Sequence, residues 1–337
     1  MRRVQICLAV AVLLTALPLY AQSKAKVQNV PEIPFDSVAN ALKLPDNLYL
    51  GEGIGVATNS KGHVFVYTRS GATRLFEFDQ NGTFVKEIGK DLYGFQFAHA
   101  VRVDKDDNIW AVDEGTNMVI KFDPTGKVLM LIGRKPEAVE GLEATPPNGT
   151  PPPNAQPYAL GRPTDIGWDP QGNIFISDGY TNSRVVKYDK NGKFMPHGLQ
   201  VDAKGNVYVA DRGNARIQVF DNNLTLRAIY DHVGNPWTLC ITPGPHQYLY
   251  SSNSYPDSNP ANARDITGEV YKMELDGTVV GKFGKAGKQL KEFSTIHGMD
   301  CRNENELWVS EITAWRVQKI ILHPQQAAKP TSTSAQR

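Results

Sequence analysis

A chain of 337 residues with 41% apolar content can fill one large core or two ordinary ones. Its 36 basic and 35 acidic residues leave a formal net charge of +1, so no charge excess draws it to nucleic acid or to an anionic membrane. Small molecules and the C-termini of peptides are the expected partners.

The chain opens "MRRVQICLAVAVLLTALPLYAQS", with Arg2 and Arg3 ahead of an apolar run from Ile6 to Leu19 and a small residue, Ala21, placed for cleavage. Thr15 and Pro18 interrupt the run, which falls short of the roughly 20 apolar residues of a membrane span. Residues 1–21 read as a secretory signal, which implies a secreted or periplasmic protein with no membrane attachment after cleavage. Cys7 leaves with the signal. Export then permits Cys240 and Cys301 to pair, although the repeat described next places them out of register, and two free buried thiols are the open alternative.

From residue 51 to 322 one unit recurs six times, beginning at "GIGVATNSKGHVFVYTRSG", "AHAVRVDKDDNIWAVDEG", "PTDIGWDPQGNIFISDGY", "PHGLQVDAKGNVYVADRG", "PWTLCITPGPHQYLYSSN" and "HGMDCRNENELWVSEITA". Runs of Val, Ile, Tyr and Phe alternate with Asp, Asn, Gly and Lys clusters, the pattern of consecutive antiparallel hairpins. A small sheet of this kind cannot bury both faces alone. Six of them stacked face to face and closed into a ring predict an all-β, six-bladed β-propeller. The last copy stops at Leu322 without a fourth strand, and the lead of residues 22–50 contains "FDSVANALKLPDNLYL", which is available to complete the ring.

Two further features interrupt the regularity. "EATPPNGTPPPNAQP" and "SYPDSNPANARD" read as long loops on the rim, and residues 323–337 as a disordered tail. Gly82 precedes His99 by 17 positions, whereas Gly192 precedes His197 by only five, so the third blade is expected to lack its outer strand.

Aligning the copies places His99, His197 and His297 at one position, the start of the first strand, in copies two, four and six; copies one, three and five carry Ile54, Thr164 and Trp237. First strands line the channel of a propeller, so alternate blades aim equivalent residues at one axis. Three neutral imidazoles with an open fourth position are the ligand set of a catalytic zinc. A single such histidine would read as structural. The four others, His63, His232, His246 and His323, fall in turns or at ends and read as solvated.

Just beyond the second strand the copies read Arg69, Glu114, Gly179 followed by Tyr180, and Arg212. Second strands run opposite to first strands, so these residues emerge beside the histidines. Arg69 and Arg212 are candidates to clamp a carboxylate, with rim salt bridges as the alternative. Tyr180 is a candidate acid or base, with plain packing as the alternative. Arg184 and Arg216 read as braces between neighbouring blades.

"RPTDIGWDPQGNIFISDGYTNSRVVKYDKNGKF" and "PHGLQVDAKGNVYVADRGNARIQVF" resemble NHL-repeat propellers, and specifically the peptidyl-α-hydroxyglycine α-amidating lyases, over roughly Gly51 to Leu322. The resemblance implies zinc on His99, His197 and His297, an active-site tyrosine at Tyr180 and two substrate-orienting arginines at Arg69 and Arg212. It implies cleavage of a hydroxyglycine C–N bond to a peptide amide and glyoxylate, on a substrate hydroxylated elsewhere. It also implies a structural calcium on the carbonyls of Val56 and Val101 and on an aspartate after the third histidine. This chain has Gly298 there, so the only carboxylate is missing and calcium is not expected. The family's blade disulfides are absent too, with Thr181 and Val207 among the positions concerned. A non-catalytic NHL propeller binding a peptide, glycan or protein at the channel mouth is the chief alternative. A metal-dependent lactonase or related hydrolase is a second alternative, but such propellers use acidic ligands for calcium and no carboxylate cluster occupies the equivalent positions here.

Overall fold

The computed structural model describes residues 25–27, 29–135, 159–182, 184–192, 194–196, 200–254 and 268–323. The signal, the first insertion, the second from residue 255 onward, residues 324–337 and His197 lie outside the described residues.

The strands follow the repeat. After β1 (Phe35–Val38), blade one comprises β2 (Glu52–Thr58), β3 (Val64–Arg69), β4 (Arg74–Phe78) and β5 (Phe84–Ile88). Blade two holds β6 (Ala98–Val103), β7 (Ile109–Asp113), β8 (Met118–Phe122) and β9 (Val128–Gly133). Blade three is built from β10 (Asp165–Trp168), β11 (Ile174–Asp178), β12 (Arg184–Tyr188) and β13 (Phe194–Pro196). Blade four follows with β14 (Gln200–Val201), β15 (Val207–Asp211), β16 (Arg216–Phe220) and β17 (Leu226–Tyr230). Blade five contains β18 (Pro236–Ile241), β19 (Tyr248–Asn253), β20 (Glu269–Glu274) and β21 (Val279–Phe283). The chain ends in blade six with β22 (Ile296–Asn303), β23 (Glu306–Glu311) and β24 (Arg316–Leu322).

All six sheets are antiparallel and four-stranded. Blade six takes its outer strand from the other end of the chain, since β1 pairs with β24 from Phe35 opposite Leu322 to Val38 opposite Lys319. This strand exchange closes the ring. The third blade differs from expectation: β13 supplies an outer strand of three residues, pairing Phe194 with Tyr188 and Pro196 with Val186. The count from Gly192 to His197 is too small for a full strand but not for a short remnant, and three residues carry no alternation to reveal it.

The hairpins are set by aspartates. In "DKDDN", "DPQGN" and "DAKGN" the leading carboxylate accepts amide N–H bonds two and four residues on: Asp202 takes Lys204 at 2.8 Å and Asn206 at 2.9 Å. Asp104 and Asp169 do the same. The turn needs a left-handed residue, supplied by Gly172 at φ 81° and Gly205 at φ 85° and, in copy two, by Asp107 at φ 61°.

Blades adhere through apolar seams. Ile54, Tyr67, Val101 and Phe122 pack between blades one and two, and Phe283, Phe293, Met299 and Val309 between five and six. Each fully buried side chain of this size contributes roughly 1.5–3 kcal/mol. The thinnest seam lies between blades three and four, where Phe175 and Val207 are the buried pair among the described residues.

Cys240 of β18 and Cys301 of β22 form a disulfide that staples the inner strands of blades five and six. Alignment of the copies sets them one residue out of register, with Cys240 three and Cys301 four residues past the histidine position. Neighbouring blades meet with opposite faces of their inner strands, so in an alternating pleat this odd offset is what brings both thiols into one seam, where Met299 and Cys301 face Cys240 together. Arg184 and Arg216 also differ from expectation: each braces its own blade, to Asp178 at 2.9 Å and to Asp211 at 2.6 Å.

The bridge closes a loop with a sequence separation of 61, for which loop entropy gives about 4 kcal/mol. The double substitution Cys240→Ala with Cys301→Ala should lower the urea midpoint by the equivalent of about 2–4 kcal/mol. Reductant should shift the native protein the same way and leave the double variant unmoved. Identical midpoints for all forms would exclude the staple.

Candidate metal centre at the channel mouth

A regular inner strand points its side chains at the two neighbouring blades, not along the channel. The histidines escape this restriction through β-bulges. In blade two Ala98 faces Asp113 and Ala100 faces Val112, leaving His99 as the extra residue. In blade six Ile296 faces Glu311 and Gly298 faces Ser310, leaving His297 extra. Ile54 holds the same bulged place in blade one. Bulges re-aim a side chain, and here they turn both imidazoles to the channel.

The two rings meet with centroids 4.6 Å apart. His99 Nδ1 donates to the Thr164 carbonyl at 2.6 Å, and His297 Nδ1 donates to the Ile54 carbonyl at 3.0 Å. A carbonyl only accepts, so each Nδ1 carries the proton and each Nε2 keeps its lone pair. Thr164 and Ile54 occupy the histidine position of the next blade round, so one contact is made twice by repeat symmetry. Burial, together with the positive charges of Arg69, Arg212 and Arg162, pushes the His99 pKa down to about 3. Burial, then His99 and Arg69, hold His297 well below the ordinary range. Both rings are neutral, the form a metal requires.

Around them stand the residues that follow the second strands. Tyr180, 36% exposed, lies with its ring 5.7 Å from that of His99. Arg212 opens a single 3₁₀ turn, Arg212–Asn214, and its guanidinium lies 4.2 Å over the Trp237 ring. It meets no carboxylate among the described residues. Arg69 is more constrained, since Nε donates to Glu52 at 2.8 Å, Nη1 to the Ala98 carbonyl at 3.3 Å, and the guanidinium covers Phe97 at 3.9 Å. A cavity of about 690 Å³ runs from His99 and His297 past Tyr180, Arg212 and Trp237 to an apolar wall at Phe220 and Leu224.

Three residues here have no role in the sequence reading. Glu114 is almost wholly buried, with Oε2 3.9 Å from His99 Nε2. Burial pushes its carboxyl up against the opposing pull of Arg162, with which it pairs. Arg162 in turn lies 4.7 Å over the Tyr180 ring. Trp237, aligned with the histidines, packs its ring 5.9 Å from that of His297. Arg162 sits before an inner strand, outside the positions that the repeat compares, so alignment offers it no partner. His197, the third member of the predicted triad, lies outside the described residues, and among the described residues no group of three His, Cys, Asp or Glu side chains could hold a metal ion.

In metal-free protein the His99 ring should remain neutral and Nδ1-protonated from neutral pH to about pH 4, and His297 should gain its proton only well below the ordinary histidine range, as ¹⁵N-resolved NMR of the ring nitrogens would report. An unfolded histidine gains its proton near 6.5 and native His99 only near 3, so stability falls as pH drops through that window. His99→Gln should flatten this part of the profile by a few kcal/mol, because each factor of ten in proton affinity is worth about 1.36 kcal/mol.

The NHL repeat family model matches residues 195–220. The chain is 25% identical over 314 residues to a probable peptidyl-α-hydroxyglycine α-amidating lyase of Caenorhabditis elegans, covering 81% of this chain and 83% of that protein. It is 26% identical over 336 residues to the peptidylglycine α-amidating monooxygenase of Rattus norvegicus, covering 83% of this chain but only 32% of that protein's length. A gluconolactonase structure from Xanthomonas campestris superposes with a TM-score of 0.54 at 16% identity, over 89% of this chain and 97% of that one; it shares the fold alone. The chain is an NHL-repeat six-bladed propeller similar to the amidating lyases.

Proposed function

We propose that this propeller is a secreted, zinc-dependent lyase that splits the C–N bond of a peptidyl-α-hydroxyglycine, giving a peptide amide and glyoxylate. The observation that carries the reading is the pair of neutral imidazoles from blades two and six, each with Nδ1 tied to a carbonyl and Nε2 left as a lone-pair donor. His99 and His297 fit a zinc, with His197 as third ligand by repeat position. Zinc held there would supply Lewis acidity at the substrate's hydroxyl oxygen.

The remaining work belongs to the chain's own side chains. Arg212, unpaired with any carboxylate among the described residues, binds the C-terminal carboxylate of the hydroxyglycine. Arg69, fixed by Glu52, adds positive field from the opposite side more than a second free fork. Tyr180 takes the hydroxyl proton and returns it to the departing amide nitrogen. The O–H electron pair becomes the second C–O bond of glyoxylate while the C–N pair leaves with nitrogen, so no oxidant or water is consumed. The Arg162 guanidinium stacks over its ring and helps hold it beside His99. The apolar wall at Phe220 and Leu224 suits the side chain of the residue before the hydroxyglycine. The peptide substrate in the worm relative's name supports this orientation.

Zinc analysis of the purified protein and glyoxylate release from an N-acyl-α-hydroxyglycine test the reading together. One zinc per chain is expected, lost with activity in His99→Ala and His297→Ala. Tyr180→Phe should keep the zinc and lower kcat by about 10²-fold or more. Arg212→Ala should act mainly on KM, costing about 10- to 100-fold in kcat/KM, the scale of a lost charge-assisted hydrogen bond. Folded protein that retains no zinc and releases no glyoxylate would leave the peptide-binding propeller as the better account.

A further inference from the structure

Directly beneath the histidine layer the channel contains a charge that the chemistry at the mouth does not use. Arg102 of β6 sends its guanidinium across the hub, forming a fork-to-fork pair with Asp165 of blade three, Nε to Oδ1 at 2.9 Å and Nη2 to Oδ2 at 2.6 Å. Nη1 donates to the Met299 carbonyl of blade six at 3.0 Å, and Nη2 reaches the Leu239 carbonyl of blade five at 3.5 Å. One side chain thus joins four of the six blades.

Its level in the channel is informative. Counted inward from the histidine position of each inner strand, Asp165 is one residue down, and Leu239 and Met299 are two. The three positions that the resembled lyases use for calcium fall at the same depth: Gly298 one residue down, Val56 and Val101 two. Apart from Met299, these residues and Arg102 line a single cavity of about 80 Å³.

The residues present do not fit a calcium ion. A hard cation needs oxygen donors with net negative charge, and the carboxylate available, Asp165, is already neutralised by Arg102. Nor is Gly298 a mere omission. A Cβ there would stand 2.8 Å from the Ile54 carbonyl oxygen and 3.0 Å from Gly55 Cα, so any acidic side chain would push β2 aside. A Cβ on Gly55 would lie 2.6 Å from the Val101 amide nitrogen. The inner strands of blades one, two and six have closed on one another where a ligand set would have to open.

We propose that Arg102 is the resident cation of this hub: its guanidinium, paired with Asp165, does the blade-tying work that calcium does in the resembled lyases, and the channel takes up no calcium. This does not depend on whether zinc binds at the mouth. A guanidinium suits the task because it is permanently charged and presents several donors in one plane to carbonyls and a carboxylate arranged around an axis.

The test compares thermal unfolding of the native protein, stripped of calcium and supplied with one equivalent of zinc, with and without about 1 mM CaCl₂. The expected result is an unchanged midpoint and no calcium retained after gel filtration. A rise of more than a few degrees, or near-stoichiometric calcium, overturns the proposal. Arg102→Met, which keeps the bulk and removes the charge, should lower the midpoint by about 5–10 °C, as breaking a buried pair does. Arg102→Lys should recover part of that loss. A methionine variant as stable as the native protein also overturns it, and if that variant does not fold, the calcium comparison on the native protein decides alone.

Discussion

In a pleated strand successive side chains point to opposite faces of the sheet. For an inner strand of a propeller both faces are occupied by neighbouring blades, so an unbroken pleat turns its side chains toward the seams, and it takes one as long as Arg102 to reach the hub from there. The bulges at His99 and His297 remove this restriction with a single extra residue each. They also free the carbonyls at the same level: the Ile54 carbonyl, at a bulge of its own, is what receives His297 Nδ1. The candidate site therefore depends on a local failure of strand pairing repeated around the ring, and the rest of the fold holds those failures in phase.

The electrostatic character of the mouth follows from what the repeat puts there. Arg69, Arg162 and Arg212 surround two rings that are already buried, so protonating either ring would place a new positive charge in a positive field with little water to screen it. The same field favours an anion. A carboxylate entering beside Arg212 relieves the repulsion among the arginines, whereas a cationic group does not. Glu114 balances part of this charge through its pairing with Arg162.

The architecture was legible because a propeller repeats its errors as well as its rules. Asp104, Asp169 and Asp202 announce the same turn three times, and a histidine at one repeat position in copies two, four and six is hard to produce by chance. What a period of aligned letters does not contain is phase. It cannot show that His99 is an extra residue in its strand, or that Cys240 and Cys301, one position apart in the alignment, face each other across a seam where blades meet with opposite faces. The outer strand of blade three is hidden for a related reason, since three residues are too few to display alternation. Arg162 and Arg102 stay invisible to alignment because it compares like with like, and each acts across blades on a partner outside its own repeat position.

Seen along its axis, the hub has two layers with opposite demands. The upper layer keeps two imidazole lone pairs available by donating the Nδ1–H of each described ring to a carbonyl. The layer beneath has carbonyl oxygens from several blades converging on a narrow space, which is unfavourable unless something positive accepts their density. A mobile ion could do this, but its loss would leave those dipoles opposed and the blades free to splay, disturbing the bulges one residue above. A covalently attached guanidinium cannot dissociate. Arg102 and the histidines are accordingly parts of one construction: the cation below fixes the spacing of the inner strands, and that spacing sets the distance between the imidazoles.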